Sequence, residues 1–285
     1  MWLDIFSLLN DILAYVQGNC VKALECMERA LRLRQHIYGF NNEQTQKTCR
    51  DTVDLCNLMA VMHLQGDNAP AVLELLQKAQ LLAKNYGVGR AVTYNNMACY
   101  YRRAGKLRTA LKYALKALEI ERKLKQRNSS LDFYPADTYL NACAILSEMG
   151  DHRSALEHAQ LALHSLQEEL FKGIGKVSSD GEDGDNKDSN SINGLREGIS
   201  TNNDAQQQLL VKLDRITVLV IAYHNLGVEQ EFLQRYSSSF GSYRKGLEIS
   251  EQYLGENNPT TEMLRKALYE VEKSLERRRT SITYP

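Results

Sequence analysis

A short turn signal recurs along the chain, and its spacing limits the fold more than any other feature. The signal is a glycine followed by a polar residue, at Gly18-Asn19, Gly66-Asp67, Gly105-Lys106 and Gly150-Asp151. Alanines follow three of these glycines after five and twelve residues: Ala23 and Ala30, Ala110 and Ala117, Ala155 and Ala162. Ala71 and Ala79 are one residue out of step, which predicts a one-residue insertion near Pro70. Self-similarity at such a period indicates a repeat protein.

Asparagines and a weaker fifth copy support the same alignment. An asparagine precedes the glycine by nine residues in three copies, at Asn57, Asn96 and Asn141. A degenerate copy begins at Asn225, places Gln234 where the glycine belongs, and has small residues at the alanine positions, Ser239 and Gly246. We therefore count five units.

Each unit reads as a helical hairpin. Apolar residues before the glycine recur every three to four positions, which is typical of one helix face, and glycine accepts the positive φ of a tight turn. Only four prolines interrupt a chain rich in helix formers. A single hairpin cannot bury its apolar face, so consecutive hairpins are expected to stack. The sequence predicts an all-α, right-handed superhelical solenoid of about five hairpins with a C-terminal capping helix.

These residues resemble the tetratricopeptide repeat (TPR) family, most clearly from Tyr94-Asn95-Asn96-Met97-Ala98 to Ala117-Leu118-Glu119-Ile120. The glycines are 48, 39 and 45 residues apart, longer than a simple repeat of that family. The elbow Tyr253-Leu254-Gly255-Glu256-Asn257-Asn258-Pro259 is similar to those of the extended repeats of kinesin light chain.

The predicted organisation has five parts. Residues 1–171 hold units one to four, and 172–205 form a disordered acidic loop rich in serine, asparagine and glycine, since so polar a segment buries little apolar surface. Residues 206–258 form the fifth unit, 259–279 the capping helix and 280–285 a tail. Asn258-Pro259 suits a helix start. A short coiled coil with a partner is the alternative use of the last helix.

Composition and charge exclude several functions. Lys and Arg number 35, as do Asp and Glu, so the whole chain lacks the basic surplus of a nucleic-acid or membrane-surface binder. The longest strongly apolar run, 217–223, is too short to span a bilayer, and the first residues lack a secretory signal pattern. Six cysteines without a CxxC pair suggest reduced thiols in the cytoplasm. We expect a cytoplasmic protein, with the cytoskeleton as a candidate location.

No catalytic or metal-binding constellation is recognisable, and no cofactor is predicted. Gly173-Ile174-Gly175-Lys176 lacks the first glycine and the Ser/Thr of a phosphate-binding loop. Cys56 and His63 lie about two helical turns apart, too far for one metal ion. We therefore expect a protein without enzymatic activity.

Candidate binding residues follow from the resemblance, which implies that the first helices of the hairpins line a concave groove. The residues assigned to it are Asn57, Asn95, Asn96, Arg102, Arg103, Asn141 and Asn225. A side-chain amide can donate and accept, so it can hold a peptide backbone without reading its sequence. The same asparagines can instead bridge helices internally. The arginines and a basic third unit favour an acidic ligand, although solvated helix faces explain the same charges.

Two further features concern partners. The first helix carries apolar residues around most of its circumference, with Trp2, Phe6 and Leu9 as candidate contacts, which indicates a partner, burial against the chain itself, or a helix that is not a true terminus. Ser179, followed by Glu182, is a candidate site for an acid-directed kinase, or simply solvent-exposed.

The sequence therefore favours an interaction scaffold or adaptor that binds peptide or helical segments of other proteins. The alternative is a constitutive structural subunit of a cytoskeletal, motor-associated or ciliary assembly, in which the apolar first helix would be covered by a neighbour.

Overall fold

The computed structural model describes residues 2–66, 69–127, 135–175 and 203–283, with side chains within 20–66, 69–127, 135–170 and 209–278. Over these ranges the chain forms ten α-helices and no strand, so the all-α prediction is confirmed. It divides into two compact units: unit 1, Met1–Phe133, and unit 2, Tyr134–Pro285.

Unit 1 consists of five helices: α1 (Trp2–Tyr38), α2 (Glu43–Gln65), α3 (Ala69–Leu82, followed by a 3₁₀ turn at Ala83–Asn85), α4 (Gly87–Arg103) and α5 (Leu107–Arg127). α1 packs on α2, α2 pairs with α3, and α4 pairs with α5 while also contacting α2 and α3. The core lies between α2, α3 and α4, around buried residues such as Val53, Met59, Leu76 and Met97.

Unit 2 also consists of two hairpins and one further helix, which here follows the hairpins. Its helices are α6 (Ala136–Glu148), α7 (His152–Gly175), α8 (Asn203–Phe232), α9 (Tyr236–Tyr253) and α10 (Pro259–Thr283). α6 pairs with α7 and α8 with α9, and α10 packs on α9 and α8. Leu264 and Val271 of α10 are buried in a core shared with Leu166, Val220 and Tyr243. Asn258 caps α10, because its Oδ1 accepts from the Thr260 amide at 2.9 Å.

Helix α1 corrects the prediction of a hairpin in unit one. A turn was expected at Gly18-Asn19, yet α1 runs without a break from Trp2 to Tyr38. A glycine inside a helix costs only about 1 kcal/mol relative to alanine. That cost is too small for one glycine to end a long helix by itself. The described ranges therefore contain four hairpins, and the second part of α1, with Leu24 and Leu31 buried, packs like the second helix of a unit.

Small buried residues allow the hairpins to close. The residue five positions after the turn is Ala110 in α5, Ala155 in α7 and Ser239 in α9, and all three are fully buried. The residue seven positions further is Ala117, Ala162 or Gly246, again buried. These are the positions that the sequence repeat picked out, and each allows the second helix to pack close to its neighbours.

The predicted alignment of Gly66 with Gly105 and Gly150 is one residue out of register. Gly105 and Gly150 have φ of +70° and +80°, and Gln234 takes the same left-handed conformation with φ of 60°. Gly66 has φ of −95°, so it is not their equivalent. Gly105 lies two residues after Arg103, the end of α4. The residue two positions after Gln65, the end of α2, is Asp67, which is outside the described residues. The helix ends and the buried positions of the two hairpins are equally spaced, so the insertion predicted near Pro70 is wrong, and Val72 rather than Ala71 takes the buried position in α3.

The segment between α7 and α8 is only partly described. α7 extends to Gly175 and α8 begins at Asn203, so residues 172–175 and 203–205 are helical rather than part of the predicted loop. The rest of that loop, including Ser179, lies outside the described residues. None of the described helices is long and apolar enough to cross a membrane.

Candidate functional site

The first helices of the four hairpins present one equivalent outward stripe. Each ends at the same structural position: α2 at Gln65, α4 at Arg103, α6 at Glu148 and α8 at Phe232. The last residue and those four, seven and eleven positions earlier share one helix face. The stripes are Asp54, Leu58, Val61 and Gln65 in α2; Val92, Asn96, Cys99 and Arg103 in α4; Asp137, Asn141, Ala144 and Glu148 in α6; and Ile221, Asn225, Val228 and Phe232 in α8.

All sixteen side chains are exposed or half-buried, and of the apolar ones Val228 also packs against the core of unit 2. Asparagine is the residue that recurs at one position of the stripe, as Asn96, Asn141 and Asn225, with Leu58 at the same place in α2. We call this place the ladder position, and the paired stripes of a unit its ladder surface.

Asn57 does not lie on the ladder surface. Only 4% of it is exposed, whereas the adjacent Leu58 is 55% exposed. The one-residue shift at the α2–α3 turn explains the difference, because Asn57 is the structural equivalent of Asn95 rather than of Asn96. Sequence reasoning missed Leu58 and Val61, although the displaced Ala79 was a signal that the whole first helix is out of register.

Asn57 joins α2 to α4 through a chain of hydrogen bonds. Its Nδ2 donates to Thr93 Oγ1 at 3.0 Å, and Thr93 Oγ1 donates to the Gly89 carbonyl at 2.7 Å. Asn96 Nδ2 donates to Asn57 Oδ1 at 3.3 Å. Asn57 thus bridges helices internally, as the alternative interpretation of the asparagines required. The same network fixes the orientation of the half-buried Asn96 amide at the edge of the ladder surface.

The ladder surface of unit 1 combines apolar and basic side chains. Leu58, Val61 and Val92 are large apolar residues with more than a third of their surface exposed. Arg103 is exposed and its Nη1 donates to the carbonyl of Leu64 in α2, while Arg102 beside it is half-buried. Burial raises the pKa of the Cys99 thiol, so it remains protonated at neutral pH and is not an activated nucleophile.

In unit 2 both ends of the α6 stripe are acidic, whereas the stripes of unit 1 have one acid, Asp54 of α2. Asp137 and Glu148 occupy the places that Val92 and Arg103 hold in α4. Sequence reasoning missed both acids. Asn141 and Asn225 are half-buried, and Asn225 Oδ1 lies 3.5 Å from His224 Nδ1. The Phe232 ring is exposed and stacks on the His152 imidazole with centroids 3.9 Å apart, and Glu229 holds that imidazole through a 2.8 Å contact.

The remaining predicted site residues are placed as follows. Asn95 is half-buried beside the α4 stripe. Trp2, Phe6 and Leu9 lie in the first part of α1, where side chains are not described. Among the described residues no three His, Cys, Asp or Glu side chains come together as metal ligands.

Comparisons with known proteins agree with the helical hairpins. Residues 90–128, which include nearly all of α4 and the whole of α5, match the tetratricopeptide repeat family. No curated protein matches the chain at the significance required. Among solved structures, BtubC (BKLC) from P. vanneervenii is similar, with a TM-score of 0.57 and 14% sequence identity over 96% of this chain and 93% of that one. That protein is kinesin light chain-like, and the likeness shows the fold, an all-α TPR-like solenoid.

Proposed function

We propose that this TPR-like protein is a non-enzymatic scaffold or adaptor that binds peptide or helical segments of partner proteins on its ladder surfaces. The observation that carries the proposal is the recurrence of one outward stripe on four helices, with asparagine at three of the four ladder positions. TPR repeats in general mediate protein–protein interactions. The proposed location is the cytoplasm, with the cytoskeleton as a candidate site of action.

Three types of group on these surfaces suit a peptide ligand. Leu58, Val61 and Val92 offer apolar contacts, and the asparagine amides offer a donor and an acceptor to a peptide backbone. Arg102 and Arg103 favour acidic ligand residues at the end of the α4 stripe. Because hydrogen bonds already orient Asn96, a ligand would lose little binding energy in ordering that side chain.

The test is capture of partners from a lysate, identified by mass spectrometry, with wild type compared with Asn96→Ala/Asn141→Ala/Asn225→Ala. The matched control is Gln77→Ala/Gln160→Ala/Gln252→Ala, three exposed residues on the second helices. The proposal expects partners to be lost from the asparagine variant and kept by the control, with circular dichroism and melting unchanged in both. Retention of every partner by the asparagine variant would mean that partners bind a different surface of the protein.

A constitutive structural subunit is the second candidate function, and the end of α1 favours it. Leu33, Ile37, Tyr38 and Phe40 are all more than half exposed, Phe40 by 74%. Exposed apolar residues grouped in this way commonly mark a contact with another chain. If this is the case, light scattering during gel filtration should show the isolated wild type as an oligomer and Leu33→Ser/Ile37→Ser/Phe40→Ser as a monomer. A monomeric wild type would speak against the structural-subunit function.

A further inference from the structure

The outward face of α5 carries a line of cations along most of its length. Arg108, Lys112 and Lys116 follow one another at intervals of four residues, and Arg122 and Arg127 lie on the same side. All five are exposed. At about 1.5 Å of rise per residue, the line is about 28 Å long. We refer to these five residues as the α5 basic face. It is separate from the ladder surface, which lies on the first helices.

This arrangement is unfavourable for the helix itself. Like charges four residues apart repel across one turn, and Arg108, Lys112 and Lys116 form two such pairs in succession. The first turn of α5 contains no acidic residue, although the positive end of the helix dipole favours one there. Cations that break these local rules, as Arg108 and Lys112 do, point to a functional requirement.

The other hairpins show that the fold does not require these cations. The residue equivalent to Lys112 is Glu74 in α3, Glu157 in α7 and Gly241 in α9. In α3 and α7 that glutamate lies four residues from a basic residue, Lys78 or Arg153, so the spacing that repels in α5 attracts there. The all-basic sequence is therefore a property of α5 and not of the repeat.

The surroundings do not neutralise this face. Residues 87–127 contain eleven Lys and Arg but only Glu119 and Glu121 as acids. Glu121 is 4% exposed, and Glu119 Oε1 lies 2.6 Å from Lys123 Nζ. Lys116 is held in position by aromatic rings, since its Nζ lies 5.6 Å from the centroid of Tyr94 and 5.3 Å from that of Tyr113.

We propose that the α5 basic face is a docking surface for an acidic, extended polypeptide segment of a partner protein. A line of about 28 Å matches about nine extended residues at roughly 3.3 Å each. Leu115, 48% exposed between Lys112 and Glu119 on the same face, provides a contact for one apolar side chain in the middle of that segment. Carboxylates on either side of it would pair with the cations.

A short acidic peptide fits this surface better than a larger polyanion does. Residues 1–133 contain 19 Lys and Arg against 12 Asp and Glu, whereas residues 134–285 contain 16 against 23. The chain as a whole is neutral, so it lacks the overall positive charge that is typical of proteins binding nucleic acids or anionic membranes. Glu119 also interrupts the line of cations, and its carboxylate would repel the phosphates of a continuous polyanion.

The test is fluorescence anisotropy of a labelled nine-residue peptide, four glutamates on each side of one leucine, titrated with the full chain. We expect binding at about 50 mM NaCl that weakens about tenfold or more at about 300 mM, because such pairs are screened by salt. Arg108→Gln/Lys112→Gln is expected to weaken binding about tenfold and to melt at the same or a higher temperature, since the change removes repulsion.

The matched control is Lys47→Gln/Lys84→Gln, which removes two exposed lysines from the same unit and is expected to bind the peptide like wild type. Equal losses in both variants would mean unspecific charge attraction and would overturn the proposal. So would tighter binding of a single-stranded DNA oligonucleotide, or of phosphatidylserine-containing vesicles, through Arg108 and Lys112. Asn96→Ala serves as a separate arm and is expected to leave peptide binding unchanged, so failure of the ladder-surface function is distinguishable from failure here.

Discussion

Small residues at one buried position set the distance between the first helices and their neighbours. The position is Ala60 in α2, Ala98 in α4, Cys143 in α6 and Gly227 in α8. A Cβ added to Gly227 would lie 2.4 Å from Tyr243 Cε1, closer than any relaxed contact. Tyr243 fills that space because it is nearly fully buried and its hydroxyl donates to Glu231 Oε1 at 2.6 Å.

Gly227→Ala should therefore reduce the free energy of unfolding by about 1–3 kcal/mol through overpacking. Gly241→Ala is the matched control, because nothing lies within 4 Å of a Cβ at that helical position. It should raise the free energy of unfolding by about 0.5–1 kcal/mol through helix propensity. Urea unfolding measures both, and the packing explanation does not survive if Gly227→Ala is as stable as wild type.

His224 should make the stability of the chain depend on pH. Burial lowers its pKa below the ordinary value of 6.5, despite the contact with Asn225. The unfolded chain therefore binds a proton more readily than the folded chain, and the free energy of unfolding falls as pH decreases through about 6.5. The contribution cannot exceed about 1.4 kcal/mol per pH unit.

The measurement is urea unfolding at several pH values between about 5 and 7.5, for wild type and His224→Gln. The variant should show a smaller decrease in stability over that range. An identical pH dependence in both proteins would assign the effect to other groups.

The helices themselves were largely predictable, and their register was not. Alanine spacing after Gly105 and Gly150 predicted the second helices, because buried small residues mark where helices pack closely. Gly66-Asp67 imitates the same dipeptide, yet only the backbone conformation shows that Gly66 precedes the turn position. A one-residue error rotates a helix by about 100°, which is why Asn57 was placed on the wrong face.

Two further features could not be predicted from the sequence: the continuous helix α1 and the acidic residues on the ladder surface of unit 2. Gly18-Asn19 has the composition of a turn, but α1 continues through it, since one glycine costs a helix only about 1 kcal/mol. Asp137 and Glu148 have no distinctive neighbours in the sequence, and only alignment of the helix ends identifies them as counterparts of Val92 and Arg103.

A buried ion cluster joins three helices of unit 2. Arg215 of α8 forms two hydrogen bonds with Glu169 of α7, Nε to Oε1 at 2.7 Å and Nη2 to Oε2 at 2.9 Å. Its Nη1 also donates to Asp137 of α6 at 3.0 Å. Arg215 thus connects α8 to the α6–α7 hairpin in addition to the apolar core that these helices share.

Arg215→Met should reduce the free energy of unfolding by about 3–5 kcal/mol, because it removes both hydrogen bonds that a buried guanidinium makes to the nearly buried Glu169 carboxylate. Arg244→Met is the matched control, since it removes an exposed pair with Glu248 within one helix. Its effect should be below about 0.5 kcal/mol. Thermal or urea unfolding measures the difference. Equal effects of the two substitutions would mean that the ion cluster does not stabilise unit 2.

At the scale of the whole molecule, two units of similar plan offer ladder surfaces of different chemistry. Unit 1 combines Leu58, Val61 and Val92 with Arg103, and unit 2 has Asp137 and Glu148 at the corresponding ends. Each unit has its own buried core, so the exposed stripes contribute little to folding and can differ.

The central claim is that partners bind the outward stripes as the structure defines them, with Leu58 and not Asn57 at the α2 ladder position. Quantitative capture of lysate partners by Leu58→Asp, with Gln77→Asp on the exposed face of α3 as control, tests it most directly. We expect Leu58→Asp to lose partners that wild type and Gln77→Asp retain, while all three proteins melt at the same temperature. Retention of every partner by Leu58→Asp would mean that the stripes are not the binding surface.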